Sequence, residues 1–382
     1  MNIAWVIIVT IIVIIVQSYM YNYWGPAKIR YNRSFSRSSV FEGEDIEMID
    51  TISNNKLLPL PWLRLESKIS KNLEFRSNHL GSKDDDGEFH RTLFSLMPYQ
   101  KITRRHKLTC VQRGYYALNT VSMSTGDVFG FAQIFKSYDA TAYVTVYPKI
   151  ISLSEIPLPS HSWLGDISVR RWIIEDPFVL AGIREYTDRD ALNTVNWKAT
   201  ARTGKLQVNQ KDFTADHHLM IYVNFDQTDD IWLPIEDEAR IEKGLSYAAS
   251  IANEAISKGV STGFGCNGYL VEPFTQKEND IKQSVRIEPN SSNQQLTYLL
   301  DTMAKLKIDR TENFNYFLTK DIDEQLTNND ILIITCTQTE EMECHIRELE
   351  NLGNAVEVLL IEADEQAEYI NANEEIGEIH AQ

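Results

Sequence analysis

The chain has 382 residues, 43% hydrophobic and 10% aromatic, enough for two or three packed domains and too apolar for a disordered chain. Its formal net charge of -17 repels a polyanion, which excludes nucleic acid as a partner in the absence of a strong local basic patch. The four scattered cysteines, Cys110, Cys266, Cys336 and Cys344, form no C-x-x-C pair or zinc spacing and read as reduced, buried thiols.

The first element is IAWVIIVTIIVIIVQSYMYNYW. No charged side chain occurs from Met1 to Ala27. A run of about 20 apolar residues crosses a bilayer as a helix. Trp5 at one end and Tyr19, Tyr21, Tyr23 and Trp24 at the other are suited to interfacial belts. A cleaved signal peptide wants a basic start and a small-residue cleavage site, and neither is present. Residues 1–27 are therefore expected to be an uncleaved, single-pass anchor in the cell membrane. Lys28, Arg30, Arg33 and Arg37 follow the span before the first acid, Glu42. Positive flanks stay cytoplasmic, so the soluble domains are expected in the cytoplasm.

Residues 28–150 carry short runs rich in β-branched and aromatic residues, among them LPWLRLES, KLTCVQ, YYALNTVSM and ATAYVTVYPKI. The turn-prone stretches SNNK, HLGSKDDDGE and STGD separate them. This pattern predicts a β-rich, sandwich-like domain. Residues 151–215 form a linking segment. Within it, GIREYTDRDALNTVNWKATARTGKL sets five basic residues around Tyr186 and Trp197, and it is expected to be a structural clamp joining the two domains, with Trp197 packed and Arg184 and Arg202 tying loops through carboxylates or carbonyls.

From residue 216 the pattern alternates. HHLMIYVNFD reads as a buried strand ending in an acid, and 236–258 as a helix burying Ile241, Leu245, Ala248, Ala252 and Ala255. STGFGC is a second strand, and 293–306 a helix with Leu296, Leu299, Leu300 and Met303 inward. DILIITCT is an apolar strand covered on both faces. The helix through Met342, Ile346 and Leu349 stops near Gly353, and NAVEVLLIEA closes the series. Residues 216–362 thus predict a doubly wound α/β domain. Residues 363–382 hold acids and no Lys or Arg, and are expected to be a solvated tail.

Three stretches invite a chemical reading. TARTGKL resembles the end of a phosphate-binding loop, but Ala199 replaces the first glycine and Leu206 the final hydroxyl, which removes that reading. Gly263, Gly265 and Gly268 give G-x-G-x-x-G with no helix following, so tight packing is the better reading. Asp226-Gln227-Thr228-Asp229-Asp230 follows the first buried strand, at the sheet end where ligands gather. Carboxylates and a hydroxyl are hard ligands suited to Mg²⁺ or Ca²⁺, and a solvated acidic loop is the competing reading.

With these residues placed, the linking segment resembles the signature of the bacterial domain-of-unknown-function family numbered fifty-eight. Arg184, Tyr186, Asp190, Trp197, Ala201, Arg202 and Leu206 fall in register with it. Arg189 stands where that family has glycine, and Asn193 where it has arginine. Upstream, Arg113-Gly114-x-Tyr116-x-Leu118, Gly126-Asp127-Val128-Phe129-Gly130 and Val146-Tyr147-Pro148-Lys149 resemble its β-rich region. The resemblance implies a von Willebrand factor A-like α/β domain with a metal-ion-dependent adhesion site at its first strand. Asp226 and Thr228 match that motif's first two positions, and Asp230 replaces its last serine. The resemblance also implies a MoxR-type AAA+ ATPase as protein partner, and no small-molecule substrate. The resulting expectation is a membrane-anchored interaction protein and not an enzyme. Its rivals are a metal-dependent hydrolase at the Asp226 loop and a cell-envelope structural protein.

Overall fold

The computed structural model describes residues 3–76, 82–84, 87–127, 133–158, 175–187, 195–213, 218–228, 234–271 and 282–362. The expected tail, 363–382, lies outside them, as do Val128, Phe129 and Gly130. Two compact units are present, one covering Met1–Lys149 and the other beginning at Ile150.

The first unit opens with helix α1, Ile3–Trp24, which is long and apolar enough to cross a membrane. It displays its aliphatic side chains outward: Ile3, Ile7, Ile11 and Ile15 are all at least half exposed. A helix that is apolar all round and uncovered by protein suits lipid rather than water. Two antiparallel-rich sheets follow. The four-stranded sheet is ordered β1 (Ile29–Phe35), β3 (Asp45–Asn54), β8 (Lys101–Cys110), β5 (Leu73–Phe75). The six-stranded sheet is ordered β2 (Ser39–Phe41), β10 (Gln133–Tyr147), β9 (Gly114–Gly126), β4 (Leu60–Ile69), β7 (Gly87–Leu96), β6 (Ser82–Asp84).

Strand β3 shows how the sequence sets one face inward. DIEMIDTISN alternates, and Ile46, Met48, Asp50, Ile52 and Asn54 are its buried positions. Its apolar members meet residues of the opposite sheet: Ile52 joins Leu63, Phe94 and Met123, while Met48 joins Ile69, Leu118 and Val144. The unit is therefore a sandwich. Two of the buried polar residues, Arg33 and Asp50, pair with each other. Arg33 on β1 lies directly opposite Asp50, with Nε donating to Oδ1 at 2.7 Å and Nη2 to Oδ2 at 3.2 Å. Tyr31 donates its hydroxyl to the same Oδ1 at 2.7 Å. Burial alone would raise the Asp50 carboxyl, but the Arg33 hydrogen bonds and charge, with Tyr31, hold it below the usual carboxylate range. Arg33, expected among the membrane-flanking cations, is instead buried and neutralised here.

In the second unit, β11 (Glu175–Glu185) and β12 (Gln207–Phe213) form a two-stranded antiparallel sheet with helix α2, Trp197–Thr203, between them. A five-stranded sheet carries the rest. Its order is β16 (Val285–Asn290), β14 (Ser261–Cys266), β13 (His218–Val223), β18 (Asn329–Thr335), β19 (Ala355–Leu360). All neighbours are parallel except the edge strand β16, which runs antiparallel to β14. The strand order in chain sequence is 3-2-1-4-5, and its switch point lies between β13 and β18.

Helices cover both faces of this sheet. Helix α3, Glu238–Ser257, lies so close that a Cβ on Gly244 would meet Ile361, Ile334 and Val223. Helix α4, Asn293–Lys305, packs beside it. On the opposite face, α5 (Phe314–Asp323) and α6 (Glu340–Asn351) set Phe314, Phe317, Met342 and Leu349 against Met220, Tyr222, Ile331 and Ile333. Gly263, Gly265 and Gly268 pack as expected, each too close to a neighbour for a side chain; at Gly263 a Cβ would lie 2.5 Å from the Ile287 carbonyl oxygen. Of the cysteines, Cys110, Cys266 and Cys336 are buried, whereas Cys344 is exposed on α6.

A buried acid in this unit makes stability depend on pH. Asp321 on α5 pairs with Arg286 of β16 at 2.8 Å, yet burial outweighs that attraction and pushes its carboxyl up to about 6. The folded form therefore binds a proton more tightly than an unfolded chain, whose aspartates titrate near about 3.9. Stability contributed by this group rises as pH falls from 7 towards 4, and Asp321→Asn removes that slope. Urea unfolding midpoints at pH 7 and pH 5 check this. The wild-type change should exceed the variant's in the direction of greater stability at pH 5, and equal changes would rule it out.

Candidate functional site

The carboxyl ends of β13 and β18 meet at the switch point, where open α/β sheets bind ligands. Four segments converge there: the β13 exit through Asn224 and Asp226, the turn after β14 at Asn267, the 309–313 stretch leading into α5, and the β18 exit at Thr335. Asn224 donates its Nδ2–H to Thr335 Oγ1 at 3.1 Å and accepts the Asp226 N–H on Oδ1 at 2.8 Å. Asn267 accepts the Phe225 N–H at 3.0 Å, and its own carbonyl accepts the Thr311 N–H at 2.9 Å.

Asp226 is the hub. It is 7% exposed. Its Oδ1 accepts from Asn267 Nδ2 at 2.9 Å, and its Oδ2 accepts the Phe314 N–H at 2.7 Å. Phe314 is the first residue of α5, so the carboxylate answers one of the donors that every helix start leaves open. Arg310 brings Nη1 to 3.6 Å from Oδ1, with both side chains nearly enclosed. Burial raises the Asp226 carboxyl above its usual value, against the lowering effects of the Phe314 N–H, Arg310 and Asn267.

This arrangement differs from the expected cation site. A divalent ion needs carboxylate lone pairs facing it and other oxygens around it. Here N–H groups hold both Asp226 oxygens, and a guanidinium stands where the ion's charge would be. Thr228 is exposed rather than turned into the buried hub, and Asp230 lies outside the described residues. No group of three or more His, Cys, Asp or Glu side chains able to share a metal occurs among the described residues. As arranged, these residues do not fit Mg²⁺ or Ca²⁺. Asn267 and Arg310, which complete the hub, carry no local motif. Asn267 immediately follows STGFGC, and Asp-Arg-Thr-Glu-Asn at 309–313 is a polar run with an Asn at the helix cap, which is the only signal that could have flagged it.

The signature residues gather elsewhere. Asn196 caps α2 by accepting the Ala199 N–H at 3.0 Å, and Gly204 ends it in the left-handed region at φ 70°. The TGKL that looked like a phosphate loop is thus a helix stop, and Lys205 pairs with Glu185 at 3.0 Å. Tyr186 and Leu206 meet through their backbones at 2.9 Å, and Thr200 Oγ1 accepts the Gln207 N–H. Val195 and Val208 are buried, while Arg184, Ala201 and Arg202 are exposed. Trp197, expected to pack as part of a clamp, is 69% exposed, with Ile183 at 53% and Leu206 at 41%. It begins a seven-residue helix that buries none of its own residues, which leaves the ring in solvent. Asp190, Arg189 and Asn193 lie outside the described residues.

No family model matches the chain. Over 330 residues it is 20% identical to the uncharacterized protein YeaD of Bacillus subtilis, covering 86% of this chain and 75% of that one. Among solved structures it is similar to the CARDB domain of the PF1109 protein from Pyrococcus furiosus, with a TM-score of 0.21, 13% identity, and coverage of 31% of this chain and 93% of that one. A non-cellulosomal cohesin from Archaeoglobus fulgidus gives a TM-score of 0.23 at 14% identity, covering 33% of this chain and 94% of that one.

Proposed function

We propose that the chain is a membrane-anchored protein-interaction module whose signature segment docks a cytoplasmic partner. The exposed Trp197, with Ile183 and Leu206 also exposed in the same β–α–β piece, is the observation that carries this reading. Tryptophan and arginine are the residues most enriched in binding hot spots. Arg184, Lys198, Arg202 and Lys205 give the patch a basic rim, which suits an acidic partner surface. The family resemblance makes a MoxR-type AAA+ ATPase the expected partner. A von Willebrand factor A-like identity for the second unit is supported by the 3-2-1-4-5 strand order and the acid at the exit of its first sheet strand. Anchoring in the cell membrane by α1, with the soluble units on the cytoplasmic side, is supported by the exposed aliphatic helix and by Lys28 and Arg30 just after it.

Affinity capture of the tagged full chain from native membranes tests this. The wild type is expected to recover the ATPase, and Trp197→Ala to reduce recovery by about tenfold or more, as loss of a hot spot does. Because Trp197 is exposed, the thermal midpoint of the variant should stay unchanged. Failure of the wild type to recover an ATPase, or undiminished recovery by Trp197→Ala, would sink the proposal.

A further inference from the structure

A cavity of about 600 Å³ opens in the first unit beside the exit of α1. Its walls come from the start of β1, the end of β3, residues 99–101 ahead of β8, and Tyr138 of β10. The Lys28 carbonyl, in the turn that joins α1 to β1, accepts the N–H of Asn55 at 3.0 Å, and Asn55 lines the cavity. The cavity is thereby fixed at the membrane end of the sandwich.

Its chemistry is unlike that of the rest of the molecule. In a protein with a formal net charge of -17, the lining holds Arg30 and Lys101 and no carboxylate. Neither cation has a hydrogen-bond or ion-pair partner among the described residues. Amide and hydroxyl groups of Asn32, Asn55 and Tyr99 stand beside them. Two free cations and neutral donors, with no acid among them, together describe a receptor for an anion bearing further hydroxyl or ester oxygens.

We infer that this cavity binds a phosphate group carried on a glycerol-type headgroup, supplied by anionic lipid next to α1. The position selects the lipid as source: a headgroup at the membrane surface reaches the cavity without leaving the bilayer. Arg30 and Lys101 neutralise the phosphate. The inference rests on the anchored reading of α1. Loss of the chain from the membrane fraction would count against that reading alone, because binding is measured on detergent-solubilised protein.

Native mass spectrometry of the full chain supplies the test. The probes are short-chain phosphatidylglycerol, short-chain phosphatidylcholine and sn-glycerol 3-phosphate. The wild type is expected to prefer phosphatidylglycerol over phosphatidylcholine by about tenfold or more, as charge-assisted hydrogen bonds allow. Arg30→Gln with Lys101→Gln should abolish the preference. Lys71→Gln with Lys107→Gln removes two exposed cations outside the cavity and should keep the preference. Equal binding of the two lipids by the wild type, or equal loss in both double variants, overturns the site. Binding of glycerol 3-phosphate without phosphatidylglycerol keeps the phosphate chemistry and overturns the lipid source.

Discussion

Asp226→Ala is expected to destabilise the second unit by about 3–5 kcal/mol, the usual cost of removing one partner from an enclosed charge pair. The variant leaves the Phe314 N–H at the start of α5 and one N–H of the Asn267 amide without their acceptor, and removes the charge that faces Arg310. Each unanswered buried donor alone costs about 1–3 kcal/mol. Asp226→Asn keeps an acceptor for one N–H and loses the charge, so it should fall between wild type and alanine. Urea unfolding in EDTA and in millimolar Mg²⁺ separates this account from a cation site. A resident ion at a hundredfold excess over its Kd would stabilise the wild type by about 2.7 kcal/mol, and Asp226→Ala would abolish that gain. The arrangement around Arg310 predicts the same unfolding curve with and without Mg²⁺. A Mg²⁺-dependent gain in wild type only would restore the cation reading.

Asp50→Ala should have a comparable effect on the sandwich. Its carboxylate and the Arg33 side chain are each about 1% exposed, and Tyr31 shares the same oxygen. Removing the acid strands an arginine in the core, at a cost of about 3–5 kcal/mol. Replacing both members, as in Arg33→Met with Asp50→Leu, should cost much less than the sum of the single changes, because no unpaired charge remains. Acid acts on the same pair. Because the folded carboxyl is held below its ordinary value, the stability it contributes is present above about pH 4 and is lost as pH falls through the folded value. Acid unfolding of wild type and double variant, followed by near-ultraviolet circular dichroism, reads this directly. An additive double variant, or one with the same acid midpoint as wild type, would refute it.

Elements with a strong period were legible in the sequence. The apolar run at 3–24, the fully buried strands β13 and β18, and the helices α3, α4 and α6 occupy the stretches their patterns indicated. Helix α5 was not, for a physical reason: its buried positions are Phe314, Phe317, Leu318 and Asp321, and the acid in the fourth place breaks an otherwise regular apolar stripe. The antiparallel direction of β16 is set by pairing with β14, which no local pattern encodes. The site was legible only in part. Asp226 stands out as an acid after a buried strand, but the groups that decide its role come from Asn267, Arg310 and Phe314, distant in sequence and brought together only by the sheet's crossovers. Trp197 illustrates the opposite failure: an aromatic in a mixed-charge stretch reads as packing, while the helix it opens is too short to bury it.

At the far end of the anchor, the ammonium of Lys56, from the turn between β3 and β4, donates to the carbonyl oxygens of Trp24, Gly25 and Ala27. The Trp24 carbonyl is one that a helix end ordinarily leaves to water, and its capture together with the two beyond it keeps the last turn of α1 from fraying. The joint therefore behaves as a weld, not a swivel. A bilayer that thickens or thins obliges its spanning helix to change tilt, and here no slack linker absorbs the rotation. With α1 in a bilayer, the sandwich turns with the helix, which makes bilayer thickness a mechanical input to the first unit.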